Sequence, residues 1–284
     1  MAAVSETRPD LTVIIPASNE QDYIDRCLGA LLAQDDAAGR VQAIVAANAC
    51  RDATEDRVRA WQDRFAARGW DLVLLSIAEP GKVNALNRAE GVADPAAPRV
   101  FLDADVICEP ALLGQLRAAL ATDGPRYATG TLQVARAHSA VTRLYARIWT
   151  ELPFVKGGAV GAGLFAVNMA GRARWGEFPQ IISDDTFVRL QFAPHERIEV
   201  PARYVWPMIE GFGPLVRVRR RQDAGVTELA ERWPALIGNE GKAPLTPGLL
   251  VRLGLTRPLS LLTYLAVHFA TRMTRGDGGW SRGR

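Results

Sequence analysis

Residues 11–20 read LTVIIPASNE, and this stretch decides the fold class. Its apolar residues follow one another without alternation and the run stops at Pro16. A continuous apolar run bounded by a breaker is typical of a strand buried on both faces. Ser18 and Asn19 can cap a helix that follows, in which apolar residues recur at helical spacing. The stretch therefore predicts a buried strand, a polar turn and a helix.

Strand-like and helix-like segments alternate through the first hundred residues. The strand-like runs are VQAIVAANA (41–49), DLVLLSI (71–77) and RVFLDADV (99–106), and the helix-like segments run through Val58, Trp61 and Phe65 and through GKVNALNRAEGV (81–92). This order predicts an α/β fold with a mostly parallel sheet covered by helices on both faces. Ligands of such sheets bind beyond the carboxyl ends of the strands. We therefore expect one polar rim, formed by Ser18, Asn19, Glu20, Asn48, Asp52, Asp103 and Asp105.

The second half of the chain is less regular. GGAVGAGLFAVN (157–168) is glycine-rich and then strand-like, IISDDTFVRLQF (181–192) predicts a turn and a helix, and EVPARYVWP (199–207) predicts a strand. An arginine run, RVRRRQ (217–222), and an apolar segment, PLSLLTYLAVHFA (258–270), follow.

The composition is that of a globular protein. The chain has 284 residues, of which 48% are hydrophobic and 23% charged, which excludes a disordered polymer or a fibrous repeat. Three cysteines without a CxxC spacing argue against a disulfide framework or a zinc ribbon and favour a reducing, cytoplasmic location. The first ten residues lack the apolar stretch of a secretory signal, and no run reaches the roughly 20 apolar residues that span a bilayer.

The net charge of +3 conceals an asymmetric distribution. Residues 1–200 carry 21 Lys and Arg against 25 Asp and Glu, whereas residues 201–284 carry 13 against 6. A basic end on an acidic body indicates an anionic partner, and a solvated basic surface is the alternative.

Two acidic pairs are the candidate chemical groups. Asp103 and Asp105 close an apolar strand, where the chain turns and both carboxylates can reach one cation; oxygen ligands suit Mg²⁺ or Mn²⁺. A solvated turn is the alternative there. Asp184 and Asp185 open a predicted helix, where one acid can be structural and the other a general base. Helix capping is the alternative for that pair.

Glycines and basic residues are the next candidates. Gly161 and Gly163 belong to a glycine run that permits close approach of a ligand, although it matches neither a phosphate loop nor a dinucleotide fingerprint; a flexible loop is the alternative. Lys82 can pair with phosphate or be solvated. The arginine run, with Arg217, Arg220 and Arg221, is dense enough to clamp a diphosphate. It lacks interleaved aromatic residues, so nucleic acid is not expected as a partner.

The apolar segment at residues 258–270 is too short to span a bilayer. Its apolar residues nearly encircle a helix, which favours a buried or partner-binding helix. Basic residues flank it and LLVRLGL (249–255) precedes it, so a peripheral membrane contact through residues 245–275, at the inner face of the membrane, is the alternative.

Six segments in this order resemble the family 2 glycosyltransferases. VIIPASNE (13–20) is similar to the family's opening V(I/V)IPxxNE, VAANACRDAT (45–54) to VVDDGSTDGT, and PGKVNALNRA (80–89) to GKxxALN. FLDADV (101–106) matches the metal-binding strand end, SDDTFVRLQF (183–192) the xEDxxLxxRL segment, and RVRRRQ (217–222) loosely the QRxRW region. The matches cover residues 11–222, about three quarters of the chain.

The resemblance implies a GT-A fold and inverting, metal-dependent transfer from a nucleotide-diphosphate sugar to a carbohydrate, lipid-linked or small-molecule acceptor. It implies a GT-A domain over residues 1–222, with a nucleotide-sugar half at 11–106 and an acceptor half at 107–222, and a helical appendage at 223–284. The implied roles are: nucleoside contacts from Pro16, Ser18, Glu20 and Asn48; phosphate or base contact from Lys82; ribose or metal contact from Asp103; metal binding by Asp105; and general base catalysis by Asp185 beside Asp184.

Departures from the family pattern limit these implications. Ala47 and Asn48 replace the usual acidic pair, so recognition of the nucleobase stays open, and the missing Trp of QRxRW does not support a processive synthase. Two alternatives remain at this point: a nucleotidyltransferase of related fold, which usually has a basic glycine-rich loop after the first strand, and a non-catalytic nucleotide-sugar-binding or membrane-scaffold protein.

Overall fold

The computed structural model describes residues 8–273, in which eight strands form a single sheet. The strands are β1 (Leu11–Ala17), β2 (Val41–Asn48), β3 (Asp71–Ile77), β4 (Arg99–Leu102), β5 (Ile107–Cys108), β6 (Tyr127–Val134), β7 (Leu164–Val167) and β8 (Arg197–Trp206). Their order across the sheet is β3-β2-β1-β4-β7-β6-β8-β5. The pairs among β3, β2, β1 and β4 are parallel, as are β6 and β8. β7 runs antiparallel to both β4 and β6, and β5 is antiparallel to β8.

Helices cover both faces of this sheet. They are α1 (Ile24–Leu32), α2 (Thr54–Arg59), α3 (Gln62–Ala67), α4 (Lys82–Glu90), α5 (Leu112–Leu120), α6 (Ala140–Trp149), α7 (Met169–Arg172), α8 (Asp184–Leu190), α9 (Phe212–Arg232), α10 (Pro234–Ile237), α11 (Pro247–Thr256) and α12 (Pro258–Met273). Two single 3₁₀ turns lie at Asp36–Ala38 and Pro194–Glu196. The predicted α/β fold with a mostly parallel sheet and C-terminal helices is confirmed.

The first strand shows why its sequence does not alternate. Val13 and Ile15 pack into the core that contains α1, whereas Ile14 packs into the core on the opposite face, which contains α4. Because successive side chains of a strand point to opposite faces, a strand covered on both sides needs apolar residues at every position. β1 is therefore the central strand that its sequence predicts.

A third, smaller apolar cluster lies away from the sheet. It joins α6, α9 and α12 through residues that include Tyr145, Trp149, Leu215, Val216 and Val267. α12 therefore packs on other helices with one side only. In the described part of the chain, no helix combines the length and apolar character needed to cross a membrane.

Two bounds expected from the sequence differ from the bounds of the helices. The boundary placed between residues 222 and 223 lies inside α9, which continues unbroken from Phe212 to Arg232. The charge pattern changes there but the helix does not end, since no proline or glycine interrupts residues 215–224. The helix expected through Val58 and Phe65 is divided into α2 and α3 near Ala60.

Candidate active site

A cleft opens at the carboxyl ends of β1 and β4, where the topology of the sheet predicts a ligand site. It collects residues from five separate segments of the chain, several of which the sequence singled out. The lining comprises Pro16, Lys82, Leu86, Phe101, Leu102, Asp103, Gly163, Phe165, Asp184 and Asp185. Acidic groups, one basic group and an apolar floor thus share one small space.

The Asp103–Asp105 segment forms a tight turn at the end of β4. The Asp103 carbonyl accepts a hydrogen bond of 3.1 Å from the Val106 amide, which closes the turn. The Asp103 amide donates to the Gly163 carbonyl at 2.8 Å and so continues the pairing of β4 with β7. Asp103 lines the cleft, and the half-buried Asp105 lies two residues further along the turn.

Lys82 joins the two acidic segments. It is the first residue of α4, and its Nζ lies 3.1 Å from Asp103 Oδ1 and 3.1 Å from Asp184 Oδ2. Burial alone would lower the pKa of Lys82, but the nearby carboxylates raise it well above its ordinary value. Lys82 is therefore a fixed positive charge in the lining of the cleft.

Asp184 and Asp185 are the first two residues of α8 but differ in environment. Asp184 is only 6% exposed and forms an ion pair with Lys82. Burial raises the pKa of Asp185, the negative charge of Asp184 adds to this rise, and Lys82 opposes it. A carboxylate with a raised pKa that lines a cleft has the properties of a general base.

The loops that follow the parallel strands β1 and β2 lie side by side at the carboxyl end of the sheet. Ser18 and Glu20 lie in the β1–α1 loop, half-buried. The Glu20 amide donates to Thr54 Oγ1 at 2.8 Å, and Thr54 Oγ1 donates to Asp52 Oδ1 at 2.6 Å. Asp52 Oδ2 also accepts from the Gln21 amide at 3.1 Å. Asp52 and Thr54 thus lock the two loops together.

Asn48 is buried at the end of β2 and connects three segments. Its Nδ2 donates to the Ala17 carbonyl at 3.0 Å, and its Oδ1 accepts from the Gly81 amide at 3.0 Å. One side-chain amide therefore holds the end of β1 and the start of α4, the helix that carries Lys82. This residue lies at the expected rim, with its amide used by the protein backbone.

The two candidate glycines are constrained by their neighbours. Gly161 and Gly163 both adopt left-handed backbone angles, with φ of +64° and +74°. The Gly161 Cα faces the hydroxyl of the buried Tyr127, where a Cβ has no room. A Cβ on Gly163 would lie 2.6 Å from Trp206 Cδ1 and 2.9 Å from Val106 Cγ2. Gly163 lines the cleft, whereas Gly161 lies behind it.

Replacing Gly163 with alanine is expected to lower the free energy of unfolding by about 2–4 kcal/mol, because overpacking adds to the cost of a left-handed residue. Denaturant unfolding would measure the change. Gly176→Ala is the matched control, since Gly176 is exposed, a Cβ there would meet no atom within 4 Å, and stability should change by less than about 0.5 kcal/mol. Equal stability of the two variants would contradict the packing argument.

The arginine run divides between two sides of α9. Arg221 lies one turn before Gly225, which packs directly against Ser183 at the start of α8, so Arg221 is on the side of the helix that faces the acidic pair. Arg217 lies one further turn back on the same side and is exposed. Arg220 points elsewhere: its Nη2 donates to the Ala270 carbonyl of α12 at 3.3 Å.

Sequence reasoning missed the residues that build the cleft without entering its chemistry. Phe101 and Phe165 stack with ring centroids 4.9 Å apart and form the apolar floor, yet each appears in the sequence only as an ordinary strand residue. Asp52, two positions before Thr54, has the pattern of an Asx turn after a strand. That pattern was the available signal that these two residues hold the loops after β1 and β2 together.

Comparison with known proteins identifies the family. The profile described as "Glycosyl transferase family 2" matches residues 12–173. A search of curated proteins finds no match.

Solved structures share the fold at low sequence identity. A mannosyltransferase from Pyrobaculum calidifontis, PcManGT, solved with GDP-Man and Mn²⁺, is 23% identical, with a TM-score of 0.60 over 95% of this chain and 77% of that one. S. aureus TarS 1-349 with UDP-GlcNAc is 16% identical, with a TM-score of 0.54 over 95% and 74%. Glucosyl-3-phosphoglycerate synthase from Mycobacterium tuberculosis, solved with Mn²⁺, UDP and glucosyl-3-phosphoglycerate, is 21% identical, with a TM-score of 0.52 over 79% and 80%. The chain therefore belongs to glycosyl transferase family 2 and is a glycosyltransferase with the GT-A fold.

Proposed function

We propose that this glycosyltransferase moves a sugar from a nucleotide-diphosphate sugar to an acceptor hydroxyl with inversion of the anomeric centre. The observation that carries the proposal is the cluster in the cleft: Lys82 bridges Asp103 and Asp184, and Asp185 lies beside them. Similar folds have been solved with GDP-Man, UDP-GlcNAc and UDP-Glc, which supports a donor of this class.

Asp185 is the proposed general base. Its raised pKa makes it a better proton acceptor than an exposed aspartate, and the nearby ammonium of Lys82 favours its charged form. It would take the proton of the acceptor hydroxyl as that oxygen attacks the sugar. A single displacement with one base and no covalent intermediate inverts the anomeric configuration.

The acidic cluster fits a divalent cation in its charge and its donor type. Three cleft carboxylates against one ammonium leave a formal negative excess, and all the donors are hard oxygens. Among residues 8–273, no three His, Cys, Asp or Glu side chains converge on one point. Mg²⁺ commonly uses one or two carboxylates together with substrate phosphates, so two protein ligands suffice. We assign Asp103 and Asp105 as these ligands; when bound, Mg²⁺ or Mn²⁺ would neutralise the charge of the departing diphosphate.

Basic residues around the cleft would assist the same leaving group. Lys82 supplies a fixed charge, and Arg221 and Arg217 lie on the side of α9 that faces α8. Arg220 contacts the C-terminal part of α12, so we assign it a structural role in place of the diphosphate contact.

The nucleoside would lie along the loops after β1 and β2. Pro16 lines the cleft, and Ser18 and Glu20 follow it on a loop that Asp52 and Thr54 hold in place. Both polar atoms of the Asn48 side chain are bonded to backbone groups. We therefore propose that Asn48 shapes this pocket and that nearby backbone groups bind the nucleobase. The catalytic body would extend through α10, because Leu229, Trp233 and Ile237 pack into the core beneath the sheet.

Thermal stabilisation by a panel of UDP-, GDP- and dTDP-sugars with Mn²⁺ tests the proposal. We expect one donor family to raise the melting temperature by several degrees and to be hydrolysed slowly when acceptor is absent. By mass action, ligand at about one hundred times its Kd stabilises by about 2.7 kcal/mol. No shift with any donor, under conditions where the protein is folded, would contradict the assignment.

A further inference from the structure

The outer side of α11 and α12 is apolar and exposed. Seven large apolar side chains there are between 42% and 84% exposed, and we call them the α11–α12 apolar surface: Leu250, Val251, Leu255, Leu259, Leu262, Phe269 and Met273. On α12 the last four recur at intervals of three, seven and four residues, which places them in one stripe along the helix. Isolated exposed apolar residues are common, but a continuous stripe indicates a contact with an apolar phase.

The polarity of α12 is the reverse of that of an ordinary surface helix. Its buried positions include the hydroxyl residues Ser260 and Thr271, and Thr271 Oγ1 donates to the Val267 carbonyl at 2.8 Å. Leu259, Leu262 and Phe269 face outward instead, each between 56% and 65% exposed. Because burial of apolar surface is the main stabilising term in folding, this arrangement is explained best if the outer stripe is also removed from water.

The charge around the surface selects its partner. Residues 241–273 contain four basic residues, Lys242, Arg252, Arg257 and Arg272, and no acidic residue. A second copy of this chain would bring like charges together across the contact. The eleven residues that follow Met273 in the sequence contain three further arginines and one aspartate, so the excess of positive charge continues there. An anionic lipid surface satisfies both the apolar stripe and the positive charge.

Ion pairs and apolar packing hold α11 and α12 against the catalytic body. Glu151, just after α6, forms ion pairs with Arg252 at 3.4 Å, Arg257 at 3.3 Å and Lys156 at 2.8 Å. α12 also packs through Val267 into the cluster shared with α6 and α9. A surface held in this way would set the orientation of the whole enzyme on whatever it contacts.

We propose that the α11–α12 apolar surface docks onto an anionic lipid bilayer, with both helices lying in the interfacial plane. The apolar stripe would enter the boundary between headgroups and acyl chains. The exposed Arg272 would contact the headgroups, and the single Glu151 carboxylate leaves part of the positive charge of Arg252 and Arg257 uncompensated to attract them. Docking would hold the enzyme at the membrane surface through α11 and α12, whichever donor and acceptor the cleft uses.

Sedimentation of the full chain with vesicles tests this proposal. We expect binding to phosphatidylcholine vesicles that contain phosphatidylglycerol, weaker binding to phosphatidylcholine alone, and a loss of binding at high salt. The double change Leu262→Glu and Phe269→Glu should weaken binding about tenfold or more, since each removes apolar area from the contact. Leu255→Glu on α11 is a second variant. The Leu255 side chain is 80% exposed, so this substitution leaves the protein core undisturbed.

The matched control is Val92→Glu, which changes an apolar side chain that is 45% exposed outside this surface and should leave vesicle binding unchanged. Light scattering in solution tests the competing occupant of the surface, a second copy of this chain. If the wild type is a dimer, the double variant Leu262→Glu and Phe269→Glu is a monomer, and vesicles are not bound, then the α11–α12 apolar surface contacts a second copy of this chain and the lipid proposal is wrong. Vesicle binding that is equal in the folded variants and wild type would also overturn the proposal.

Discussion

The change Asp185→Asn is expected to reduce sugar transfer by about 10²- to 10⁴-fold, the range for loss of a general base. Asparagine has the same shape and can still accept the hydrogen bond that Asp185 Oδ1 receives from the Thr186 amide at 2.6 Å, but it cannot take up a proton. Donor affinity should change little, because Lys82 keeps Asp103 and Asp184 as partners. Turnover at saturating donor, measured beside donor affinity by calorimetry, separates the two effects.

Asp56→Asn is the control for this change, since its side chain is 82% exposed and pairs with Arg59 on α2, outside the cleft. It should transfer sugar at the wild-type rate. If Asp185→Asn retained turnover within about tenfold of wild type, Asp185 would not be the base.

The same variant should gain stability at neutral pH. The pKa of Asp185 in the folded protein lies above its unfolded value, so its contribution to stability is complete below the unfolded pKa and is lost as the pH rises through the folded pKa. Asparagine carries no charge and escapes this loss. The melting temperature of Asp185→Asn should therefore exceed that of wild type at pH 7, and the difference should shrink as the pH falls to about 4.

The change Asp105→Ala is expected to weaken Mn²⁺-dependent donor binding by about a hundredfold or more, since even outer residues of metal sites contribute ten- to hundredfold. Donor affinity should be titrated against Mn²⁺, with an EDTA baseline that the substitution leaves unchanged. Asp103→Ala is less informative, because it also removes a partner of Lys82.

Asp123→Ala is the matched control, an exposed aspartate in the loop after α5. It should leave the Mn²⁺ titration unaltered. An unchanged titration for Asp105→Ala as well would show that this residue is not a metal ligand.

The first half of the fold was predictable from sequence because β1 and β2 are buried on both faces and are followed by polar turns. β6 was not, since its YATGTLQV sequence mixes small and polar residues and gains its place only by pairing with β7 and β8. α9 was missed because its arginines dominate the pattern, while four residues, Leu215, Val216, Gly225 and Leu229, are buried.

The candidate site was likewise predictable from the sequence only in part. The acidic pairs were recognisable because two carboxylates stand close together in each, one pair closing an apolar strand and the other opening a predicted helix. The bridging position of Lys82 was not, because its two partners come from distant segments that meet only in the folded chain. For the same reason the sequence could not show that Asn48 bonds the backbones of Ala17 and Gly81.

The pairing of β4 with β7 has a consequence for synthesis on the ribosome. β4 is a central strand only because β7 lies beside it, and its residues Val100, Phe101 and Leu102 are at most 3% exposed. While the chain is being made, β1 to β4 emerge well before β7, so β4 is for that interval an open, apolar edge. Such edges recruit other strands, so the nascent chain is most prone to aggregate, and most in need of a chaperone, until residue 167 has been added.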